Sequence, residues 1–331
     1  MSRMDTRGQR KDKELVLAQV ALEALGGPGG STLVVDDRGS LASLLGDGAA
    51  LWSRFERDGL SGRAWPQQGP WDRVAVRLPQ SVAALEMAVH AACARMRPDG
   101  VCYVYGANDE GIKSTGKKLA GWFEQVWTVQ TKRKCRVMAA RAPKVSWRAE
   151  PEQWSKRSPV ELEGAGEWTS WPGTFAKGGL DTATSLLIDA LPKRSARRVF
   201  DFACGTGVLA HVLSERGASE VYASDADHLA VRSTQANVPH AQCFASDGWA
   251  GVPQGLGVDW VVSNPPFHVG KHEDFRVFRE LVQGAASRSQ TLWLVTQKQI
   301  PCAPVLESSF PRVHLALETT RFHVWRSSHK L

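Results

Sequence analysis

Short apolar runs alternate with amphipathic stretches along this chain, most clearly from residue 173 onward. Helix-like spacing covers 182–191, 207–216, 227–236, 274–287 and 302–309. Strand-like runs sit between these stretches, at 197–203, 221–225, 242–245, 259–263 and 291–296. Strands that alternate with helices predict a parallel sheet covered on both faces. Two further strand runs, 313–318 and 322–325, follow one another directly and predict an antiparallel pair at the sheet edge. The count is seven strands, in an α/β sheet that is mostly parallel.

The first half carries a fainter version of the same pattern. Strand runs occur at Thr32–Val35, Asp72–Arg77 and Val101–Tyr105, with helical spacing from Ser81 to Met96 and a Pro98-Asp99-Gly100 turn before the third strand. Residues 149–172 are rich in Pro, Glu, Gly and Trp without a period, and read as a linker. The chain therefore divides into 1–148, a linker at 149–172, and 173–331, as two tandem Rossmann-like domains.

Candidate chemistry gathers at the ends of the later strands. The run 198–209 reads as strand, tight turn and helix, with Cys204, Gly205 and Gly207 in the turn. Glycine lets the backbone approach a ligand closely. Asp201 at the strand end can accept from a ligand ammonium. Asp225 ends the next strand, about twenty positions on, where a Rossmann-like unit holds a ribose diol. Asp247 ends the strand after that and can read an adenine amino group. The fourth strand runs into Asn264-Pro265-Pro266-Phe267. Two prolines forbid continuation of the strand and leave the Pro265 carbonyl outside any ladder. The Asn264 amide oxygen, that carbonyl and the Phe267 ring give two acceptors and a stacking face, which suits an exocyclic amine awaiting methylation. A plain Pro-Pro loop is the bland alternative. The order of these sites predicts S-adenosylmethionine as cofactor and methyl transfer as the reaction. A nicotinamide dehydrogenase is the rival; its third turn glycine is Ala at position 210, which that position tolerates, and the Asn-Pro-Pro-Phe strand end discriminates better.

The first half lacks these signals. Asp36-Asp37 follows its first strand and Leu78-Pro79-Gln80 its second, so the architecture is kept without the site.

Composition narrows the setting. No stretch approaches the ~20 apolar residues of a membrane span, which predicts no membrane partner. The first residues are polar and mixed in charge, without an apolar signal core. The six cysteines show no C-x-x-C spacing, so reduced thiols and a cytoplasmic location are expected. No His–Cys cluster has zinc spacing, and no metal is expected. Net charge is +7. Residues 1–172 hold 25 basic and 20 acidic side chains, and residues 173–331 hold 16 and 14. Lys113, Lys117 and Lys118, then Lys132, Arg133, Lys134 and Arg136, form a basic run. It reads either as a phosphate-contacting surface, with Lys132 and Arg133 as candidates, or as a solvated face.

Three segments resemble the RsmC-like ribosomal RNA guanine-N2 methyltransferases. Residues 172–181 (Pro-Gly-Thr-Phe-Ala-Lys-Gly-Gly-Leu-Asp) resemble the family's segment before the catalytic domain. Residues 264–271 resemble its catalytic signature, and residues 321–326 its closing strand. The loop 105–114 is similar to one in the family's first domain. The resemblance implies a degenerate, cofactor-free N-terminal domain for RNA binding and a catalytic C-terminal one. It implies ribosomal RNA or the small ribosomal subunit as partner, guanine N2 as target, and a monomer. Asn264, Pro265 and Phe267 would be catalytic. Phe175 and Asp181 would close over the cofactor, although Asp181 can equally cap the helix that follows. His268 would help place the base or simply pack its loop. Ala203 departs from the family, which usually has glycine there. Adenine-N6 and protein glutamine-N5 methyltransferases share Asn-Pro-Pro-aromatic loops. A non-catalytic ribosome-assembly factor with the same fold is a third reading.

Overall fold

The computed structural model describes residues 6–38, 40–57, 59–175, 180–266 and 272–329. It divides into two compact units, Met1–Phe55 with Gly59–Ser155, and Glu56–Asp58 with Lys156–Leu331.

The first unit contains α1 (Thr6–Ala24), β1 (Thr32–Val35), α2 (Ser40–Leu45), β2 (Ala49–Trp52), β3 (Trp71–Arg77), α3 (Val82–Cys93), β4 (Met96–Ala107), α4 (Ile112–Leu119), β5 (Phe123–Lys132) and β6 (Cys135–Pro143). Its sheet order is β2-β1-β3-β4-β6-β5. The first four strands are parallel, and β6 and β5 run antiparallel. Successive residues of β1 point to opposite faces. Leu33 and Val35 join Val74, Val76, Val104 and the buried faces of α3 and α4. Val34 joins Ala75, Tyr105, Val137 and the Leu17, Ala18 and Ala21 stripe of α1.

Two local expectations change. The helix begins where Ser81 Oγ accepts from Ala84 N at 3.1 Å but stops at Cys93, short of Met96. Pro98-Asp99-Gly100 does not precede the strand. It is a bulge inside β4, whose register jumps from Trp71–Met96 to Arg73–Val101. A Cβ on Gly100 would lie 2.5 Å from Met96 Cγ, so the bulge requires glycine.

His90 of α3 is buried at 5% exposure and meets Trp122, Trp147 and Trp154 edge-on at 5.7, 5.0 and 5.3 Å. Its Nδ1 accepts from Arg148 N at 3.2 Å. Burial, then the nearby Arg148 charge, pushes the imidazole down to about 4 from its usual 6.5. The unfolded chain therefore takes up this proton at a higher pH than the folded protein. Stability from this site is complete above pH 6.5 and is lost as pH falls from 6.5 toward about 4. Denaturation series between pH 7 and 4 should show a smaller acid loss in His90→Phe than in wild type; equal losses would exclude the histidine as the cause.

The second unit contains β7 (Lys156–Pro159), β8 (Glu167–Ser170), α5 (Thr182–Ala190), β9 (Arg198–Phe202), α6 (Val208–Glu215), β10 (Glu220–Asp225), α7 (His228–Asn237), β11 (Gln242–Ala245), β12 (Val258–Ser263), α8 (His272–Arg288), β13 (Ser289–Gln297), α9 (Ala303–Glu307), β14 (Arg312–Glu318) and β15 (Phe322–Ser328). The expected helices and strands are present within a few residues. The seven-stranded sheet has the order β11-β10-β9-β12-β13-β15-β14, with only β15 and β14 antiparallel to their neighbours. One face packs α8 and α9 on Phe200, Val261, Leu292 and Leu294. The other packs α5 and α6 on Val199, Val221, Val262 and Val324. The connections turn in opposite directions on either side of β9. That strand's carboxyl end is the switch point where open α/β sheets take ligands.

The span 149–172 is ordered rather than a plain linker. β7 and β8 pair as a hairpin. Asn237 at the end of α7 accepts from Thr169 N at 2.7 Å and donates to Thr169 O at 2.9 Å. Trp168 is buried against His211, edge-on at 5.4 Å.

Candidate active site

The turn after β9 is the centre of the site. Gly205 and Gly207 both have positive φ, 58° and 88°. A Cβ on Gly207 would come within 2.9 Å of Thr234, so glycine is required there by space as well as by dihedral angle. Ala203 also has positive φ, 59°. An L-residue in the left-handed region costs roughly 1–2 kcal/mol. The alanine therefore strains the backbone, an effect not evident from its added methyl alone. Ala203→Gly is expected to raise stability by roughly 0.5–1 kcal/mol, the strain relieved less the entropy glycine gives the unfolded chain. Thermal denaturation checks this, and a lowered midpoint would count against the strain.

Asp201 is 1% exposed. Its Oδ2 accepts from Ala210 N of α6 at 3.0 Å, while Oδ1 has no hydrogen-bond partner among the described residues. Burial pushes its carboxyl up to about 7; the Ala210 bond opposes the shift and the charge of Asp225 adds to it. Asp225, at the end of β10, braces the turn: Oδ2 accepts from Gly205 N at 2.9 Å and Oδ1 from Asp227 N at 2.9 Å. The Cys204 thiol is buried against the Thr234 hydroxyl at 3.2 Å, and its backbone is engaged as well, N donating to Ser224 O at 2.9 Å and O accepting from Gly207 N at 2.8 Å. Asp247 follows β11, in a turn where Ser246 Oγ accepts from Gly251 N at 2.8 Å. The register aligns β9, β10 and β11, so Asp201, Asp225 and Asp247 stand at successive strand ends.

Asn264 stands at the end of β12, on the other side of β9. Ser263 pairs with Phe202, and its Oγ donates to Phe202 O at 2.7 Å. The Asn264 Nδ2 donates to Asp181 Oδ2 and to Thr184 Oγ1, each at 2.9 Å. Asp181 is the N-cap of α5, accepting from Thr184 N at 3.1 Å. Of its two expected roles, the structure supports the cap and adds a hold on Asn264. Thr184 was not foreseen; its spacing of three from Asp181 was legible only as a capping signal. Pro265 is buried. Phe267 and His268 lie outside the described residues. Phe175 is 53% exposed and lies against the turn: a Cβ on Gly205 would be 3.4 Å from the Phe175 Cβ.

Lys132 and Arg133 belong to the first unit, at the tip of the β5–β6 hairpin. Lys132 pairs with Glu23 at 2.8 Å and Arg133 donates to Gln19 at 3.3 Å. Arg133 and Lys134 both have positive φ, 51° and 61°. Among the described residues, no group of three or more His, Cys, Asp or Glu is placed to hold a metal. No described helix is long and apolar enough to cross a membrane.

The same strand ends in the first unit are filled. Val35 of β1 pairs with Val76 and Trp52, as Phe202 of β9 pairs with Ser263 and Ser224. By that register Asp36 stands for Ala203, Ser53 for Asp225 and Arg77 for Asn264. Arg77 donates to both Glu14 oxygens at 3.0 and 2.9 Å and pairs with Glu110 at 2.8 Å. Burial pushes the Glu110 carboxyl up, but the Arg77 and Ala107 hydrogen bonds outweigh it and hold it down to about 2. Asp37 accepts from the Tyr105 hydroxyl at 2.7 Å and from Leu41 N at 2.9 Å.

The sheet order and the two facing strand-end sites of the second unit define a methyltransferase of the Rossmann-like class. The Methyltransferase small domain model matches residues 166–326, and the Methyltransferase small domain N-terminal model matches 50–158. A Pseudoalteromonas atlantica protein named ribosomal RNA small subunit methyltransferase C is 30% identical over 79% of this chain and 78% of its own length. A Hahella chejuensis protein of the same name is 28% identical over 80% and 79%. The chain belongs to the ribosomal RNA small subunit methyltransferase C family. In fold it matches the T. thermophilus 16S rRNA N2 G1207 methyltransferase, solved with AdoMet and guanosine, with a TM-score of 0.81. That match has 23% identity and covers 95% of this chain and 92% of the other.

Proposed function

We propose that this chain transfers a methyl group from S-adenosylmethionine to the exocyclic N2 of a guanine in small-subunit ribosomal RNA, acting in the cytoplasm as a monomer. The observation that carries this is the Asn264 amide. Both its hydrogens are engaged by Asp181 and Thr184, so it offers an acceptor beside the glycine turn.

The residues fit the cofactor. Asp201 Oδ1 is buried and unpartnered, which suits a ligand ammonium. Asp225 suits the ribose diol, and Asp247 the adenine. Bound S-adenosylmethionine supplies an electrophilic sulfonium methyl. Asn264 Oδ1 and the Pro265 carbonyl would accept the two N2 hydrogens and aim the nitrogen lone pair, with Phe267 stacking on the base. The base must be unpaired or flipped out to reach them. The methylated nitrogen is acidic and gives up its proton without a strong base, so the protein contributes mainly orientation. Adenine-N6 and glutamine-N5 amines would meet the same acceptors; the T. thermophilus protein of the same fold, a 16S rRNA N2 G1207 methyltransferase solved with guanosine, favours guanine.

Small subunits from a strain lacking the gene, incubated with the protein and labelled S-adenosylmethionine, test this by nuclease digestion and mass spectrometry. N2-methylguanosine is the expected product. Label in N6-methyladenosine or in protein would overturn the assignment.

The hairpin tip is the proposed RNA contact of the first unit. Positive φ at two successive residues is the geometry of turns that favour Asn-Gly, yet Arg133 and Lys134 stand there. Replacing Arg133 and Lys134 together by glycine is expected to raise the melting temperature while weakening RNA binding. The salt slope of log K should fall by about 1.5–2, the share of two phosphate contacts. An unchanged slope would make the tip a solvated face.

A further inference from the structure

The Asn264 carboxamide is oriented from outside its own loop. Its two amide hydrogens go to Asp181 Oδ2 and Thr184 Oγ1, each at 2.9 Å. Asp181 Oδ2 also accepts from Thr184 N at 3.1 Å and lies 3.3 Å from Thr184 Oγ1. The Thr184 hydroxyl can therefore point its hydrogen at Asp181 and its lone pair at Asn264. Thr184 is 6% exposed, so water is poorly placed to substitute for these bonds.

We infer that Asp181 and Thr184 are positioning residues that set the polarity of Asn264, an inference that rests on the methyl-transfer reading above. An unrestrained carboxamide can turn over and offer either its oxygen or its NH2 group. Here turning over breaks two hydrogen bonds and sets Oδ1 against the Asp181 oxygen, acceptor against acceptor. The oxygen is thereby locked toward the substrate side. A site of that polarity accepts a nitrogen carrying hydrogens and rejects a carbonyl oxygen. On a guanine it selects N2 over O6 before any contact to the rest of the base is made. The pair thus decides chemical selectivity without touching the reacting atoms.

The test uses Thr184→Val and Thr184→Ser in the full chain, alone and with Asn264→Ala. Thr184→Val is expected to lower kcat at least tenfold while KM for the RNA and cofactor Kd stay within threefold. Thr184→Ser should return kcat to within threefold of wild type. On the Asn264→Ala background, Thr184→Val should change nothing further, because the group it orients is gone. Full multiplicativity of the two losses, or a wild-type kcat in Thr184→Val, would overturn the inference. A second readout does not need turnover. In protein labelled with 15N-asparagine, the Asn264 side-chain amide should exchange slowly with water in wild type and quickly in Thr184→Val. Equal, fast exchange in both sinks the positioning role. A protected amide in a wild-type protein that methylates no ribosomal RNA sinks only the functional reading.

Discussion

Asn264→Ala is expected to lower methyl transfer by roughly 10²–10³-fold, the loss typical of removing one oriented hydrogen-bonding group from a reacting centre. Cofactor affinity and the melting temperature should stay close to wild type. Asp181 still accepts from Thr184 N when the carboxamide is gone, so α5 keeps its cap. Ser263 still bonds Phe202 O, so β12 stays in register. Single-turnover rates with saturating cofactor and RNA isolate the effect. A rate within a few-fold of wild type would mean that the amine is held by other groups. The Pro265 carbonyl and the Phe267 ring would then be the first to examine.

Arg77→Ala is expected to destabilise the first unit by about 3–5 kcal/mol, because it leaves the buried Glu14 carboxyl without its counter-charge, while Glu110 keeps, among the described residues, only Lys13, at 3.0 Å. The side chains of Arg77 and Glu14 are 10% and 9% exposed, and that of Glu110 is 28%. Equilibrium denaturation of the full chain, followed by tryptophan fluorescence, measures the loss. The pH dependence gives a sharper signature. In wild type Glu110 holds its charge down to about pH 2, against an ordinary 4.5, so its contribution is present above 4.5 and is lost as pH falls from 4.5 toward 2. The variant should lose the part of that dependence that Arg77 supplies, keeping the part due to Ala107 N and Lys13, so the gap between the two proteins should narrow in acid. Cofactor affinity should not change, since the cofactor-contacting candidates all lie in the second unit. A loss below about 1 kcal/mol would mean that the triad contributes like an exposed pair.

The second unit was legible because its strands are buried on both faces and its helices alternate with them. Asp201, Asp225, Asp247 and Asn264 each end a strand, and strand ends are where sequence carries turn chemistry. What held Asn264 was hidden, because its partners lie 83 and 80 residues away. The first unit was harder. β5 leaves Glu124, Gln125, Trp127 and Thr128 exposed, so no apolar alternation marks it. Arg77 read as the polar end of a strand, since nothing local reveals Glu14 beneath it. Ala203 was visible as a departure, but its strain depends on a dihedral angle that no residue name reports.

Asp36 and Ala203 share one bend, each directly after the first strand of its own sheet and each at positive φ without being glycine, at 53° and 59°. Only the second of the two bends lies at the candidate cofactor site. The bend is therefore a demand of the architecture, independent of the side chains placed around it. Anyone wishing to reopen the first unit as a receptor would not need to redraw its loop. The obstacle is the Arg77 ion cluster that has sealed the doorway, and the redesign would begin by dismantling it.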